Sequence, residues 1–561
     1  MKDKVIKATV HSPAAFINAQ SAITGLSSRD LLSTLGSVAR HGLRHPLHTA
    51  RHALNLGSQL GKVALGESLH QPNPRDRRFS DPSWSLNPLY RRGLQAYLSW
   101  QKEVREWIED SGMPDDQRLR AQFMFALLHD AFSPTNSLLN PLAVKELFNS
   151  GGLSLLRGAG HLLDDLRHNH GLPRQVGRDA FEIGKNLATT AGAVVYRNEV
   201  LELIQYGAMS EKQHKRPLLI VPPQINKFYI FDLSPAGSFV QYALKHNLQV
   251  FMVSWRNPEA RHREWGFSTY VEALEEALNA CRSITGSRDL NLLGGCAGGL
   301  TMGLLQGYLS KKRQLGRVHC ATYLVSLLDS YIDSPASLFL DEETLEAAKR
   351  RSYQKGVLEG GEIARLFAWM RPNELIWNHW INNYLLGKEP PADDILYWTN
   401  DNTRLPAALH GDLLDFFKHN PLTREGGMEI RGHAIDLNQV DVETFSVAGI
   451  NDHVTPWDSV YRSSLLLGGS GHRFILANGG HIQSILTPPG KANASWMESP
   501  KLPTDPRAWY YDAKEHEGSW WPEWLGWIQE RSGPTKEPVQ SLGSEKFPVL
   551  EAAPGSYVQG R

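Results

Sequence analysis

The 561-residue chain has only three cysteines, Cys281, Cys296 and Cys320. Three are too few for a disulfide framework, and their spacing fits no metal-binding pair, so neither a disulfide-stapled secreted scaffold nor a zinc ribbon is expected. A reducing cytoplasm suits this usage. The chain also lacks net charge, with Lys+Arg and Asp+Glu both at 59. That removes any bulk electrostatic case for nucleic acid as a partner. No stretch approaches eighteen uninterrupted apolar residues, and the first thirty residues show no basic-then-apolar leader, so no integral membrane segment and no signal peptide are expected. Internal repeats and low-complexity tracts are missing as well.

Length and aromatic residues are what the chain does have. A chain of 561 residues exceeds the size at which one core stops growing, which predicts two domains or one large domain with insertions. Sixteen tryptophans and seventeen tyrosines suggest amphipathic surfaces or apolar channels, because these side chains join a large apolar body to a polar tip.

The hydrophobic pattern divides the chain. Residues 1–190 read as a helical domain, with helices starting near Ser28 and at Pro46, spanning about Pro88 to Trp107 and Gln117 to Ala131, and following Asn140-Pro141. Between Asp30 and Glu67 there are no acids, while Arg40, Arg44, Arg51 and Lys62 stand among four histidines. Such a segment either lies on an anionic or lipid-like surface or forms the solvated face of an ordinary helical domain. From about Ala191, short apolar runs alternate with helical ones: Val194–Tyr196, Leu201–Tyr206, Leu218–Val221, Gln249–Val253, Leu290–Leu293, Ala321–Ser326, Thr444–Ala448 and Arg473–Leu476. This rhythm predicts a doubly wound parallel sheet over 191–535. Residues of about 328–431 interrupt it. With Trp369, Trp377, Trp380 and Trp398 they read as an inserted helical cap over the sheet's C-terminal edge, where ligand sites of such sheets lie. Residues 536–561 read as an extended tail.

One turn concentrates the chemistry. Gly294-Gly295-Cys296-Ala297-Gly298-Gly299 joins the Leu290–Leu293 strand to a helical run. The spacing GxCxG between strand and helix is that of the nucleophile elbow of the α/β-hydrolase fold, with cysteine in place of serine. A residue held on such a turn needs neighbours without side chains two positions away, and a helix N-terminus beside it favours thiolate. The alternative is a buried cysteine in a glycine-rich turn, the reading that suits Cys281 and Cys320.

A nucleophilic thiol needs a base and a group that orients the base. The loop Gly449-Ile450-Asn451-Asp452-His453 follows one late strand, and Asn478-Gly479-Gly480-His481 follows the next. Nucleophile, acid, histidine is the chain order of the α/β-hydrolase fold, which assigns Cys296, Asp452 and His481 to those roles. His453 is the rival base, set behind His481 because the fold's histidine follows the last strand. The backbone N–H of Ala297 is the expected first oxyanion donor. A second should come from the loop Gln224-Ile225-Asn226, around Ile225. Nothing calls for a metal or redox cofactor, and His168-Asn169-His170 reads as a solvated helix end. Because thiol-to-thiol acyl exchange is close to balanced, a cysteine here favours acyl transfer from a thioester over simple ester hydrolysis.

Pro222-Pro223-Gln224-Ile225-Asn226-Lys227-Phe228-Tyr229, the box around Cys296, Asp452-His453 with Pro456-Trp457, and Gly480-His481 together resemble the polyhydroxyalkanoate synthases. Ser254-Trp255-Arg256-Asn257-Pro258 and the Trp398 region resemble the class II members of pseudomonads, which act on medium-chain substrates. The resemblance implies polymerisation of (R)-3-hydroxyacyl-CoA into polyester with release of coenzyme A, by a homodimer on cytoplasmic granules alongside granule-associated proteins. It implies that Cys296 carries the growing chain as a thioester and that Trp398 is a non-catalytic position linked to dimerisation. Ala297 stands where many members have serine. Two rival readings use the same residues: a cysteine thioesterase or lipase-like hydrolase, and a granule-coating scaffold without activity.

Overall fold

The computed structural model describes residues 28–74, 76–169, 171–177, 179–332 and 342–560. His170 of the His168–His170 run, part of the cap's first stretch and the leader region lie outside the described residues.

Eleven strands form one sheet: β1 (Gly192–Arg197), β2 (Leu201–Tyr206), β3 (Leu218–Val221), β4 (Val250–Trp255), β5 (Leu290–Gly295), β6 (Val318–Leu324), β7 (Glu443–Gly449), β8 (His472–Ala477), β9 (Ser495–Glu498), β10 (Lys514–Glu517) and β11 (Glu551–Ala552). Their order across the sheet is β10-β9-β8-β7-β6-β5-β3-β4-β2-β1-β11. Pairings from β4 through β3, β5, β6 and β7 to β8 are parallel. At both ends they turn antiparallel. The doubly wound parallel core is thus flanked by antiparallel strands; β1 and β2 are joined by a turn too short for a crossover, which forces antiparallel pairing.

Burial explains the middle of the sheet. β3, β4 and β5 are buried along their whole length, as strands covered by helices on both faces must be. β6 begins three residues earlier than the pattern predicts and ends at Leu324, because Val325 takes a positive φ of 45°. The C-terminal tail is laid along the β1 edge, where Tyr557 and Val558 are buried and the Tyr557 amide donates to Glu202 Oε2 at 3.1 Å.

The tryptophan content is largely a packing matter. Trp520, Trp521 and Trp524 are fully buried with Phe239, and Trp524 Nε1 donates to Thr322 Oγ1 at 3.0 Å. Such indoles need a partner for the N–H once buried.

Six longer helices precede the sheet: α1 (Ser28–Arg44), α2 (Pro46–Leu65), α3 (Pro88–Glu109), α4 (Asp115–Ala131), α5 (Pro141–Asn149) and α6 (Leu153–His168). Their starts follow local chemistry. Asn87 and Asn140 each accept an amide hydrogen bond two residues on, with proline at the first helical position. Three of the four histidines near the basic residues face inward rather than joining a cationic surface. His41 bonds the Ser111 carbonyl, His48 the Trp107 carbonyl, and buried His52 pairs with Glu103 at 2.7 Å. Among the described residues no helix is long and apolar enough to cross a membrane.

Candidate active site

The turn after β5 places Cys296 at the start of α7 (Ala297–Lys311) with φ 50° and ψ −124°. A non-glycine residue at such a φ is held there by its surroundings and marks a strained position. The surroundings are tight. A Cβ at Gly294 would lie 2.6 Å from Gly299 Cα, and one at Gly298 would land on the carbonyl oxygens of Val221 and Pro222. The two glycines flanking Cys296 at a distance of two residues are thus required by close approach of β3 and α7. Cys296 donates its amide to the Leu324 carbonyl at 2.8 Å, leaving its half-buried thiol on the cavity side. Cys281 and Cys320 are buried, and loss of solvent pushes both thiols well up from the ordinary range.

Asp452 and His481 meet this thiol from the next loops. His481 Nδ1 donates to Asp452 Oδ2 at 2.7 Å. With Nδ1 engaged, Nε2 is the ring nitrogen left for Cys296, which lies within hydrogen-bonding reach. Burial works against the imidazolium, but the Asp452 carboxylate and the Cys296 sulfur overcome it through charge and hydrogen bonding, raising His481 to about 10. Asp452 is held in turn by an Asx turn. Its Oδ1 accepts the amides of Val454 and Thr455 at 2.8 and 2.9 Å, and Thr455 Oγ1 donates to Oδ2 at 2.7 Å. Thr455 also lies 3.2 Å from His481 Nδ1. It is a member of this network that sequence reasoning missed, although Asp-x-x-Thr-Pro ahead of a helix was a readable signal for such a turn.

His453 faces the same cavity but is not part of the row. Burial, and then the Arg371 charge, lower its pKa. The loop after β3 is pinned over the elbow. Gln224 Nε2 donates to Thr301 Oγ1 on α7 at 2.7 Å, and Thr403 bonds the Gln224 and Ile225 carbonyls. Ile225 lines the cavity, and Ala297 opens α7 directly after Cys296.

The cavity has a volume of about 210 Å³ and walls that are mostly aliphatic: Ile225 and Ile230 from the core, Leu375, Ile395 and Leu396 from the cap, and Ile482 and Ile485 after the histidine. Of the four cap tryptophans, Trp398 alone is among the lining residues. The other three cap tryptophans are not among the lining residues, and the walls are aliphatic. Trp377 and Trp380 meet edge to face, and Trp380 Nε1 donates to the Asn136 carbonyl of the N-terminal region at 3.0 Å. Trp398 sits on α8 (Asp394–Asn400), buried within its own chain, with Nε1 donating to the Lys227 carbonyl at 2.7 Å.

A strained cysteine on a strand-to-helix turn, with a carboxylate-bound histidine beside it, defines an enzyme of the α/β-hydrolase class. The family model for the alpha/beta hydrolase fold matches residues 217–488, and that for the N-terminus of poly-beta-hydroxybutyrate polymerase (PhaC) matches residues 75–243. Poly(3-hydroxyalkanoate) polymerase 2 of Ectopseudomonas oleovorans is 69% identical over 561 residues, covering 100% of both chains. Poly(3-hydroxyalkanoate) polymerase 1 of the same organism is 53% identical over 96% of both, and the polymerase subunit PhaC of Cupriavidus necator is 35% identical over 89% of this chain and 85% of its own. The chain belongs to the poly(3-hydroxyalkanoate) polymerases, which are acyltransferases.

Proposed function

We propose that this enzyme polymerises medium-chain (R)-3-hydroxyacyl-CoA thioesters into polyester, with Cys296 carrying the growing chain. The observation that carries the reading is the Asp452–His481 pair set against a strained thiol at the base of an aliphatic cavity. The Cys296 proton rests on His481 Nε2, where Asp452 stabilises the imidazolium. The thiolate adds to the thioester carbonyl, and the developing oxyanion faces the Ala297 and Ile225 amides. Collapse of this adduct expels coenzyme A as its thiolate, which the imidazolium reprotonates. In the next step the same histidine, now neutral, deprotonates the 3-hydroxyl of an incoming hydroxyacyl-CoA, whose oxygen attacks the acyl–Cys296 thioester and expels Cys296 as its thiolate; that thiolate then takes the lengthened chain back from its coenzyme A thioester. The aliphatic walls favour a hydrocarbon side chain over a short polar one.

A polymer surface as the working location is supported by the N-terminal region. Leu43, Leu47, Leu54 and Leu65 project into solvent beside exposed Arg40, Arg44, Arg51 and Lys62, a combination suited to a hydrophobic body with an anionic rim. Granule residence in the cytoplasm, granule-associated partners and a homodimer belong to the same proposal. Because Trp398 is buried, any part it plays in a dimer would run through the Lys227 loop it holds.

The test is to supply (R)-3-hydroxyoctanoyl-CoA and follow free thiol and product together. Thiol release with insoluble polyester is the expected result. Release with free hydroxy acid would assign a hydrolase, and no turnover a scaffold.

A further inference from the structure

We propose that Gln175, in the segment between α6 and β1, is a positioning residue that braces two walls of the catalytic cavity against each other. Gln175 Nε2 donates to the Leu375 carbonyl at 2.8 Å, and Gln175 Oε1 accepts from Asn400 Nδ2 at 3.1 Å. Leu375 lines the cavity from one cap element. Asn400 ends α8, which lines it from another through Ile395, Leu396 and Trp398. One amide from outside the cap therefore spans both elements, using a donor toward the first and an acceptor toward the second.

The brace matters because the wall it holds is irregular. Residues Asn373–Trp377 and Trp380–Leu385 are wound as π-helical turns, a geometry rare in itself and common at functional sites. Such turns are less well fixed by their own ladder than an α-helix, so contacts from elsewhere set their position. These come from the N-terminal region: Arg78 Nη1 donates to Asn373 Oδ1 at 2.9 Å, buried Asp165 accepts from Tyr384 at 2.9 Å, and Asn383 Nδ2 donates to the Arg174 carbonyl at 2.6 Å. A Cβ at Gly158 would lie 2.7 Å from the Tyr384 carbonyl carbon, so α6 meets this segment backbone to backbone. Of these contacts, Gln175 is the one that joins the π-helical wall to α8.

The consequence for substrate rests on the reading that the cavity takes the acyl chain. Losing the brace lets the Leu375 wall and α8 separate, which widens the space over Cys296 and relaxes discrimination by chain length.

The experiment uses the full chain and two readouts. The first is the rate at which N-ethylmaleimide and N-octylmaleimide alkylate Cys296, the other two cysteines being buried. The second is the ratio of kcat/KM for (R)-3-hydroxydodecanoyl-CoA to that for (R)-3-hydroxyoctanoyl-CoA. In Gln175→Glu, which keeps shape but cannot donate to Leu375, and in Gln175→Leu, the octyl-to-ethyl alkylation ratio is expected to rise at least about threefold, and the acyl ratio to move the same way. Thermal midpoints should stay near that of the parent, which separates positioning from general destabilisation. Asn400→Ala, at an exposed position, removes one arm together with the Asn400 bond to the Leu396 carbonyl inside α8. It should shift both ratios less than Gln175→Leu, and combined with Gln175→Leu it should add less than its effect alone, since the two share one bond. Alkylation ratios equal to the parent's in Gln175→Glu and Gln175→Leu would overturn the proposal. Were those variants to misfold, an unchanged ratio in Asn400→Ala would do so. Alkylation does not depend on polymer formation, so a shifted alkylation ratio in an enzyme that makes no polyester would leave the brace standing and remove the polymerase reading.

Discussion

The N-terminal helices and the sheet domain keep their apolar residues in opposite places. Among the described residues, seventeen of the twenty-four exposed large apolar side chains lie between Leu43 and Leu166. The sheet buries its own in two extensive clusters, whereas the N-terminal clusters among the described residues are small, such as Val38 with Ile108, Met113 and Ala121. A monomeric soluble domain seldom displays that much apolar surface without a partner for it. The sheet domain sets Asp452, Thr455 and His481 at hydrogen-bonding distances from one another in the loops after β7 and β8. The N-terminal region is built to hold the cap on one side and to present leucines on the other, as α6 does with Ser154, Gly158 and Asp165 inward and Leu156, Leu163 and Leu166 outward. Rigidity and stickiness are thus assigned to different parts of one chain.

If that division holds, the largest effects come from the sheet domain. Cys296→Ala should lower coenzyme A release by at least about 10⁴-fold while leaving the fold intact, as read by thiol titration and circular dichroism. The two histidines sharpen the point. His481→Gln should cost about 10³-fold or more and His453→Gln less than about tenfold, because only His481 bonds Asp452. The reverse order would transfer the role of base to His453.

Next come paired changes that set packing against surface. Gly298→Val drives a side chain into the Val221 and Pro222 carbonyls and should cost roughly 1–3 kcal/mol or more in stability by denaturant titration. Leu156→Ser with Leu163→Ser alters side chains that are 72% and 53% exposed. Each should change stability by no more than about 0.5 kcal/mol, yet together they should weaken retention on polyester particles by about tenfold in a sedimentation assay. Retention equal to the parent's would show that these leucines serve some other purpose.

How much of this the sequence discloses depends on where each signal lies. The strands from β1 to β8 are apolar runs and were readable as such, and the elbow carries its own spacing. The loop residues Asp452 and His481 are marked by chain order, which the fold constrains. β9 and β10 carry no such mark, since Ser-Trp-Met-Glu and Lys-Glu-His-Glu lack the alternation of a half-buried strand. They form because β8 offers an edge. The aliphatic nature of the cavity was also hidden. Composition counts tryptophans but not the direction they face, and Trp380 turns toward the N-terminal region with Trp377 edge-on against it. Contacts such as Gln175 with the Leu375 carbonyl join a side chain to a distant backbone atom, and leave no pattern in the chain itself.

The smallest effect concerns the charge on His481. Its pKa is raised to about 10 in the folded enzyme, against an ordinary value of about 6.5. A raised pKa means that the folded state holds the proton more tightly, so the pairing with Asp452 contributes fully below about pH 6.5 and is lost as pH rises toward 10. Asp452→Asn removes the carboxylate that sustains the shift. The loss of stability caused by this substitution should therefore be greatest at pH 6 and shrink steadily toward pH 10, a difference of at most a few degrees in thermal midpoint between parent and variant. N-terminal substitutions such as Leu156→Ser should show no such trend, because they touch no titrating group of the active site. A pH-independent penalty for Asp452→Asn would mean that the carboxylate acts only by hydrogen bonding to the Val454 and Thr455 amides, and that the imidazole in the resting enzyme is neutral.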